Sequence, residues 1–596
     1  MADHTIARRP LFDSVSDYLF AAALAAVAAV VVGVWAVGQV AGLLFAFSWP
    51  AASVGDSLHI LTHLHGNWAD PRQAWPAPAR AQLPGPAGMY TAAVLTVAGF
   101  TAAAGMALRR VGDRRRYRGF ASPAQTRAAF AQKAVLTRGR RLRDDRDRLE
   151  PADVAVPLGR TRIPLWLGIQ HSVLLLAAPR QGKTSQVIIP WLADWRGPAL
   201  VTSVRNDVAL NTMALRTSRG PVAVMDLSGT RWPHPLRWSP TSDCERFDKA
   251  RERAEVMVTV GKPETGGSDS TNAGFFGLTA TNLLAAWLHA AALTDRSMAD
   301  VLRWSLDQTD DEPIRLLAAH AGAAPGVAEL INNIYQSPAE TRSNMWTTVQ
   351  TAVAPLLSTA ARDVFCPPAG GGFDIADFLT RSGTIYLQVS EKQAGSLAPL
   401  ISAFVDEITT TAQQLAERRP HGRLTPPLAL ILDEVANVVP LPHLPALMSY
   451  AGGSGIFVVA VLQDLAQARQ RWGRDGADMI WGAATCKIAL GGLSGDELAE
   501  FSRLAGEYRE TLSSTSRSLH HGTTMQTNLS DRKTLNPDQV RTLDEDKREA
   551  LIVAGTTPAL ISRMVRHYES DRAHAYATSV AAVRKELAEL EEHQRG

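Results

Sequence analysis

Residues 18–55 carry no charged side chain, and 18–47 are almost wholly Ala, Val, Leu and Phe with Trp35 among them. A helix needs ~20 apolar residues to cross a bilayer. The run therefore predicts a membrane-spanning helix at about 18–47, long enough to tilt. Residues 81–108 are also uncharged. Their apolar part, 87–108, is just long enough for a second span; the competing reading is an Ala-rich helix buried in a protein core. A block of arginines follows: Arg109, Arg110, Arg114, Arg115, Arg116 and Arg118. The intervening loop, about 48–86, holds only Arg72 and Arg80, and the start of the chain holds Arg8 and Arg9. Cationic flanks stay on the cytoplasmic side, so a two-pass anchor is expected, with both termini cytoplasmic. A cleaved leader fits poorly, because the apolar run is too long. The loop is rich in proline (Pro71, Pro76, Pro78, Pro84, Pro86) and carries Trp68 and Trp75, residues suited either to the membrane interface or to packing the loop itself.

Charge over the 596 residues nearly cancels, with 61 Lys+Arg against 58 Asp+Glu. The balance is uneven. Residues 1–150 hold 18 Lys+Arg and 10 Asp+Glu, and the remainder holds 43 against 48. The basic excess thus belongs to anchoring, where arginines also suit anionic headgroups. Any grip on nucleic acid by the body must come from local contacts. An apolar content of 46% excludes a disordered chain. Cys244, Cys366 and Cys486 are far apart and form no Cys-x-x-Cys, which argues against a disulfide framework or a cysteine zinc site.

After a charged helical linker expected at 119–150, the texture changes. Residues 173–178 are a short apolar run with strand character. Pro179, Arg180, Gln181, Gly182, Lys183 and Thr184 follow, and Ser185 opens a helix. A strand, a Gly-Lys-Thr turn and a helix are the setting of a phosphate-binding loop, whose backbone N–H groups wrap phosphates. In that reading Lys183 reaches the β and γ phosphates and Thr184 holds Mg²⁺. Ala177 stands where the full pattern has its first glycine. The partner signal lies at 428–432, an apolar strand run ending in Asp433 and Glu434. There Asp433 would orient Mg²⁺ and Glu434 would polarise the attacking water. A further apolar run, 456–462, ends in Gln463, placed to sense a γ-phosphate or simply to cap the strand. Strand-like runs at 199–203, 222–226, 384–389 and 488–490, alternating with helical segments such as 397–417, predict a three-layer α/β core with a parallel sheet. Residues 261–372 lack strand signal and show helical spacing at 274–293, 298–308, 326–335 and 340–357. This predicts an all-helical insertion with Leu283, Leu284, Trp287 and Leu288 in its core. Residues 511–530 are half Ser and Thr and include His520 and His521, read as a solvated loop. The tail from 573 reads as an amphipathic helix.

These segments together resemble the type IV secretion coupling proteins of the TraG/TraD kind, in the FtsK/HerA branch of P-loop ATPases. The carriers are the paired apolar helices; Ala178-Pro-Arg-Gln-Gly-Lys-Thr184 with Ile188-Ile-Pro190 and Thr202-Ser203; Asp433-Glu-Val-Ala-Asn437; Leu462-Gln463; and Leu535-Asn-Pro-Asp-Gln-Val-Arg-Thr-Leu543. The resemblance implies an α/β RecA-like P-loop NTPase core with an inserted all-α domain and an N-terminal pair of transmembrane helices. The parts would be an anchor at 1–118, the linker at 119–150, the nucleotide-binding domain at 151–260 and 373–565, the insertion at 261–372 and a helical tail at 566–596. It implies ATP and Mg²⁺ as cofactors, with residues 179–185 on the nucleotide, Thr184 and Asp433 on the metal, and Glu434, Lys183 and Gln463 in catalysis. The implied partners are five further copies in a homo-hexamer, a relaxase or relaxosome, single-stranded DNA, the secretion channel components and the lipid membrane. In such motors an arginine of a neighbouring subunit completes the site, yet residues 440–464 contain no Arg or Lys. Arg469, Arg471 and Arg503 are the nearby candidates, and turnover is expected to be low if none serves. Two other readings stay open: an FtsK-like pump for double-stranded DNA, and a non-hydrolysing membrane adaptor for secreted effectors.

Overall fold

The computed structural model describes residues 15–116, 118–143, 145–262, 271–368, 371–518 and 522–595. Arg8, Arg9, His520 and His521 lie outside them. The chain divides into two compact units, one of Met1–Arg118 with Tyr508–Arg532 and one of Gly119–Glu507 with Lys533–Gly596.

The strands are β1 (Ala155–Arg160), β2 (Pro164–Gly168), β3 (Val173–Leu176), β4 (Ala199–Ser203), β5 (Val222–Leu227), β6 (Thr384–Val389), β7 (Leu428–Leu432), β8 (Ile456–Leu462), β9 (Cys486–Ala489), β10 (Glu507–Ser518), β11 (Gly522–Lys533), β12 (Glu549–Ala554) and β13 (Thr557–Arg563). Eleven form one sheet in the order β2-β1-β13-β12-β9-β3-β8-β7-β4-β6-β5. From β9 to β5 every neighbouring pair is parallel. The sheet is nonetheless mixed, because β12, β13, β1 and β2 extend it antiparallel. The expectation of a parallel sheet needs that correction. The physical reason lies in composition: β1 contains Pro157 and Gly159, and β1 and β13 are only part-buried along their length. Neither gives the continuous apolar run that marks a strand covered on both faces. The central strands do: β3, β4, β6, β7 and β8 are buried at every position. Leu174 and Leu176 enter the core on one face, and Val173 and Leu175 enter the core on the other with Trp191, Trp195 and Phe457.

Residues 119–150 carry helices Pro123–Phe130 and Gln132–Gly139, which pack on β13 and β2 rather than standing off as a spacer. The tail helix Ala573–Arg595 packs along the helix Asp207–Thr217, with Tyr576 and Val583 buried and Ser579 Oγ bonded to the Leu210 carbonyl at 3.0 Å. The insertion is helical throughout its described residues, and its packing starts upstream of 261, with helix Phe247–Gly261 laid against Thr271–Leu293. Leu283, Leu284, Trp287 and Leu288 are fully buried, and Trp287 meets Trp346 edge to face. Residues 274–293 are apolar enough to span a membrane, yet most of that helix is buried inside this unit.

An ion cluster ties the insertion to the core. Glu407, on helix Glu391–Glu417, takes Lys249 at 2.8 Å and also Arg253, both from helix Phe247–Gly261. Arg253 stacks over Trp238 at 5.0 Å and donates to the Pro240 carbonyl at 2.8 Å.

In the other unit, helices Val15–Phe45 and Pro86–Arg116 pack together, and each contains a segment long and apolar enough to cross a membrane. The two tryptophans of the connecting loop have separate fates. Trp75 is buried against the helix at Gly38, where any Cβ would sit 2.5 Å from its Nε1. Trp68 is exposed, and its carbonyl accepts from the Tyr90 hydroxyl. Residues 511–518 and 522–530, expected as a loop, belong to strands β10 and β11, which pair as a two-stranded sheet.

Burial raises the Glu407 carboxyl, but Arg253 and Lys249 outweigh burial and hold it below the ordinary glutamate value. The stabilisation is complete above the unfolded-state pKa of about 4.3 and is lost as pH falls through the lower folded value. Glu407→Gln leaves the buried Arg253 without its carboxylate and removes the nearer partner of the part-buried Lys249, and is expected to cost about 3 kcal/mol at pH 7. The check is the urea midpoint, with the wild-type and variant curves converging below about pH 4.

Candidate functional site

In a parallel sheet all carboxyl ends share one edge, and sites form there. At the end of β3 the chain turns through 177–183 and enters a helix that is π-wound over Thr184–Ile188 and α-helical over Ile189–Asp194. Pro190 explains the wide turn, since it has no N–H to continue the ordinary ladder. Ala177 is fully buried, and its N–H bonds the Leu462 carbonyl at 3.2 Å. Its backbone is not left-handed, so the missing first glycine costs the turn nothing. The left-handed positions are Arg180 at φ 66° and Gly182 at φ 77°. Gly182 is favoured because a Cβ is strained at this φ; a Cβ would also lie 2.3 Å from Gln186 Nε2, so that side chain would have to move aside.

β7 ends at Leu432, and Asp433 and Glu434 follow. Glu434 is left-handed, with φ 51° and ψ 46°, a conformation that costs a non-glycine residue of order 1 kcal/mol or more. It redirects the second carboxylate. Thr202 Oγ1, on neighbouring β4, donates to the Asp433 carbonyl at 2.9 Å and fixes this corner.

The structure brings the two segments together. Lys183 Nζ lies 3.2 Å from Asp433 Oδ1 and 3.4 Å from Glu434 Oε1. All three side chains are nearly enclosed, at 13%, 6% and 14% exposure. Burial pushes the Asp433 carboxyl up, Lys183 pulls it back, and the Glu434 charge pushes it up again. Asp433 Oδ1 is buried, and its ion partner is the Lys183 ammonium. A buried carboxylate held by a long, movable lysine is suited to exchange that partner for a cation when a polyanion draws the lysine away. Gln463 follows β8, between the two segments; its N–H donates to Gln467 Oε1 at 3.1 Å, while Asp464 caps helix Leu465–Ala483 through the Gln467 N–H. Thr184 and Ser185 begin the helix, and Pro179, Arg180 and Gln181 form the turn.

Two contributors are not marked in the sequence reading. After β9, Gly491 and Gly492 flank the turn, and a Cβ on Gly492 would lie 3.2 Å from that of Ala178. A glycine pair closing an apolar run was the available signal. His567 Nδ1 lies 3.3 Å from the Ser185 carbonyl; nothing in its local sequence announces that. The arginine candidates are engaged elsewhere in this chain. Arg469 pairs with Asp496 at 2.7 Å, Arg503 with Glu500, and Arg471 donates to the Val260 carbonyl at 2.9 Å.

Residues 124–589 match the sequence profile of a family described as Type IV secretory system Conjugative DNA transfer. The chain is similar to Protein VirD4 of Rhizobium radiobacter, 23% identical over 436 residues, which cover 70% of this chain and 60% of that protein. Protein VirD4 of Rhizobium rhizogenes is 23% identical over 438 residues, 70% of this chain and 62% of that one. The match thus spans less than two thirds of the length of these curated relatives. Among solved structures the fold is similar to the bacterial conjugative coupling protein TrwBdeltaN70 in its unbound monoclinic form, with TM-score 0.52 and 18% identity over 67% of this chain and 85% of that one. It is equally similar to plasmid coupling protein TrwB in complex with the non-hydrolysable ATP analogue ADPNP, with TM-score 0.51 and 18% identity over 68% and 87%.

Gly182→Ala combines left-handed strain with the Gln186 clash, so it is expected to destabilise the body by about 1–3 kcal/mol. A lowered thermal unfolding temperature, with helix content unchanged before the transition, is the readout.

Proposed function

Because the chain belongs to the type IV secretory system conjugative DNA transfer family, we propose that it is a membrane-anchored coupling ATPase. It recruits a DNA–relaxase complex, or a protein substrate, and moves it into a conjugative secretion channel. The observation that carries the reading is the meeting of Lys183 with Asp433 and Glu434 at the carboxyl edge of the parallel strands. The fold is shared with a coupling protein solved with an ATP analogue, and the buried Asp433 carboxylate, whose ion partner is Lys183, fits Mg²⁺ beside a triphosphate.

In this proposal the backbone of 179–185 wraps the phosphates, and Lys183 leaves the carboxylates to bind the β and γ oxygens. Thr184 and Asp433 hold Mg²⁺, which supplies charge neutralisation at the phosphates when bound. Release of Lys183 frees Glu434 to accept a proton from the attacking water. Gln463, just past the end of the strand between, would sense the γ-phosphate. Anchor helices at 18–47 and 87–108 place the loop outside the inner membrane and the body in the cytoplasm. Six copies form the working ring, in which an arginine of the adjacent subunit completes the site. Single-stranded DNA attached to its relaxase is the favoured cargo, since the all-helical insertion and the Asp433-Glu-Val-Ala-Asn437 segment match that branch.

Purified full-length chain in detergent tests this. Mg·ATP binding and turnover stimulated by single-stranded DNA are expected. Lys183→Ala should abolish binding, and Glu434→Gln should bind ATP while turnover falls about 10²-fold or more. Stimulation by duplex alone would favour the double-stranded pump, and ATP turnover that survives Lys183→Ala would end the motor reading.

A further inference from the structure

Where the helical insertion meets the core there is a cleft of about 700 Å³, well within the usual ligand range of about 300–1,000 Å³. Its charged lining is Lys262 and Arg471, and no carboxylate lines it among the described residues. Asn437, Gln393 and Ser358 add neutral donors. These groups are poised for a ligand. Lys262 and Asn437 are exposed. Gln393 Oε1 accepts from Ser390 Oγ at 2.7 Å, which leaves its amide NH₂ to donate. Arg471 donates to the Val260 carbonyl at 2.9 Å, a bond that holds the guanidinium against the cleft wall.

Two cations and several N–H donors, with no carboxylate to compete, select an anion. No aromatic side chain lines the cleft among the described residues, so the anion is held by its charge and not by ring stacking. A phosphodiester chain meets both conditions, because its charge repeats and its backbone contacts carry no sequence. The same wall connects to the catalytic carboxylate. Asn437 lies on the short helix Val435–Val438, which starts directly after Glu434. The N–H groups of Asn437 and Val438 both donate to the Glu434 carbonyl, at 2.9 and 3.0 Å. A pull on Asn437 therefore reaches the left-handed backbone of Glu434 through two hydrogen bonds.

Building on the motor reading above, we propose that this cleft is a phosphodiester sensor, where a single strand seated on Lys262, Arg471 and Asn437 re-aims Glu434. Lys262 and Arg471 supply the affinity. Asn437 supplies the coupling, since it is the cleft residue whose own backbone is bonded to Glu434. The two sites are then linked by the helix Val435–Val438, a stretch of four residues.

The test uses the full chain in detergent with Mg·ATP and three probes: oligothymidylate, thymidine monophosphate and polyglutamate. Probe binding and the ratio of turnover with and without probe are measured. Wild type is expected to bind oligothymidylate and to turn over faster with it. Lys262→Glu should weaken that binding about tenfold and reduce its salt slope by about one. Asn437→Ala removes one neutral contact, so affinity should fall only about threefold, while the turnover ratio drops towards one. Retained Mg·ATP binding shows that both variants are folded. If both variants keep wild-type strand affinity and turnover ratio, the sensor is overturned and the motor reading stands. Equal stimulation by thymidine monophosphate, or by polyglutamate, would overturn the strand as the occupant in favour of a free nucleotide or an acidic protein. A wild-type chain that binds no Mg·ATP removes the motor reading and the sensor with it.

Discussion

The position of β8 between β3 and β7 governs the site. Parallel pairing sets Leu176 opposite Leu462 and Leu432 opposite Ala460, so the loop and the carboxylates leave the sheet at nearly one level. Two strand spacings are about 9.5 Å, a gap that a lysine closes only if its own backbone has already turned towards the partner strand. The left-handed Arg180 and Gly182 make that turn on one side, and the left-handed Glu434 makes it on the other. Left-handed backbone, strained at Arg180 and Glu434 and free at Gly182, thus becomes a 3.2 Å ion contact.

Much of this was legible in the sequence, for a physical reason. Strands buried on both faces must be apolar throughout, so 173–178, 428–432 and 456–462 stand out against any background. The polar residues that follow them, Lys183, Asp433 and Gln463, are then located by where the apolar run stops. The helical insertion was legible because Leu283, Leu284, Trp287 and Leu288 recur on a helical period and all end up buried. Ala177 looked like a departure, yet the structure asks that position for burial and not for left-handed freedom.

The unread parts share the opposite property. β1 and β13 are half-solvated edge material, with Pro157 and Gly159 weakening the strand signal. Residues 119–150 look like a spacer because charge dominates their composition, although Thr126, Phe130 and Val135 are buried. His567 reaches Ser185 across hundreds of residues, and the Glu407 cluster joins groups from two separate helices. Contacts of this kind are properties of the assembled fold and leave no local trace.

The hairpin β10–β11 belongs to the same compact unit as the apolar helices, and Arg118 pairs with Glu510, 392 positions away in sequence. Synthesis is directional, so the two apolar helices are made long before their hairpin exists. The unit they share is therefore discontinuous in time as well as in sequence: it stays incomplete until the intervening body has been made.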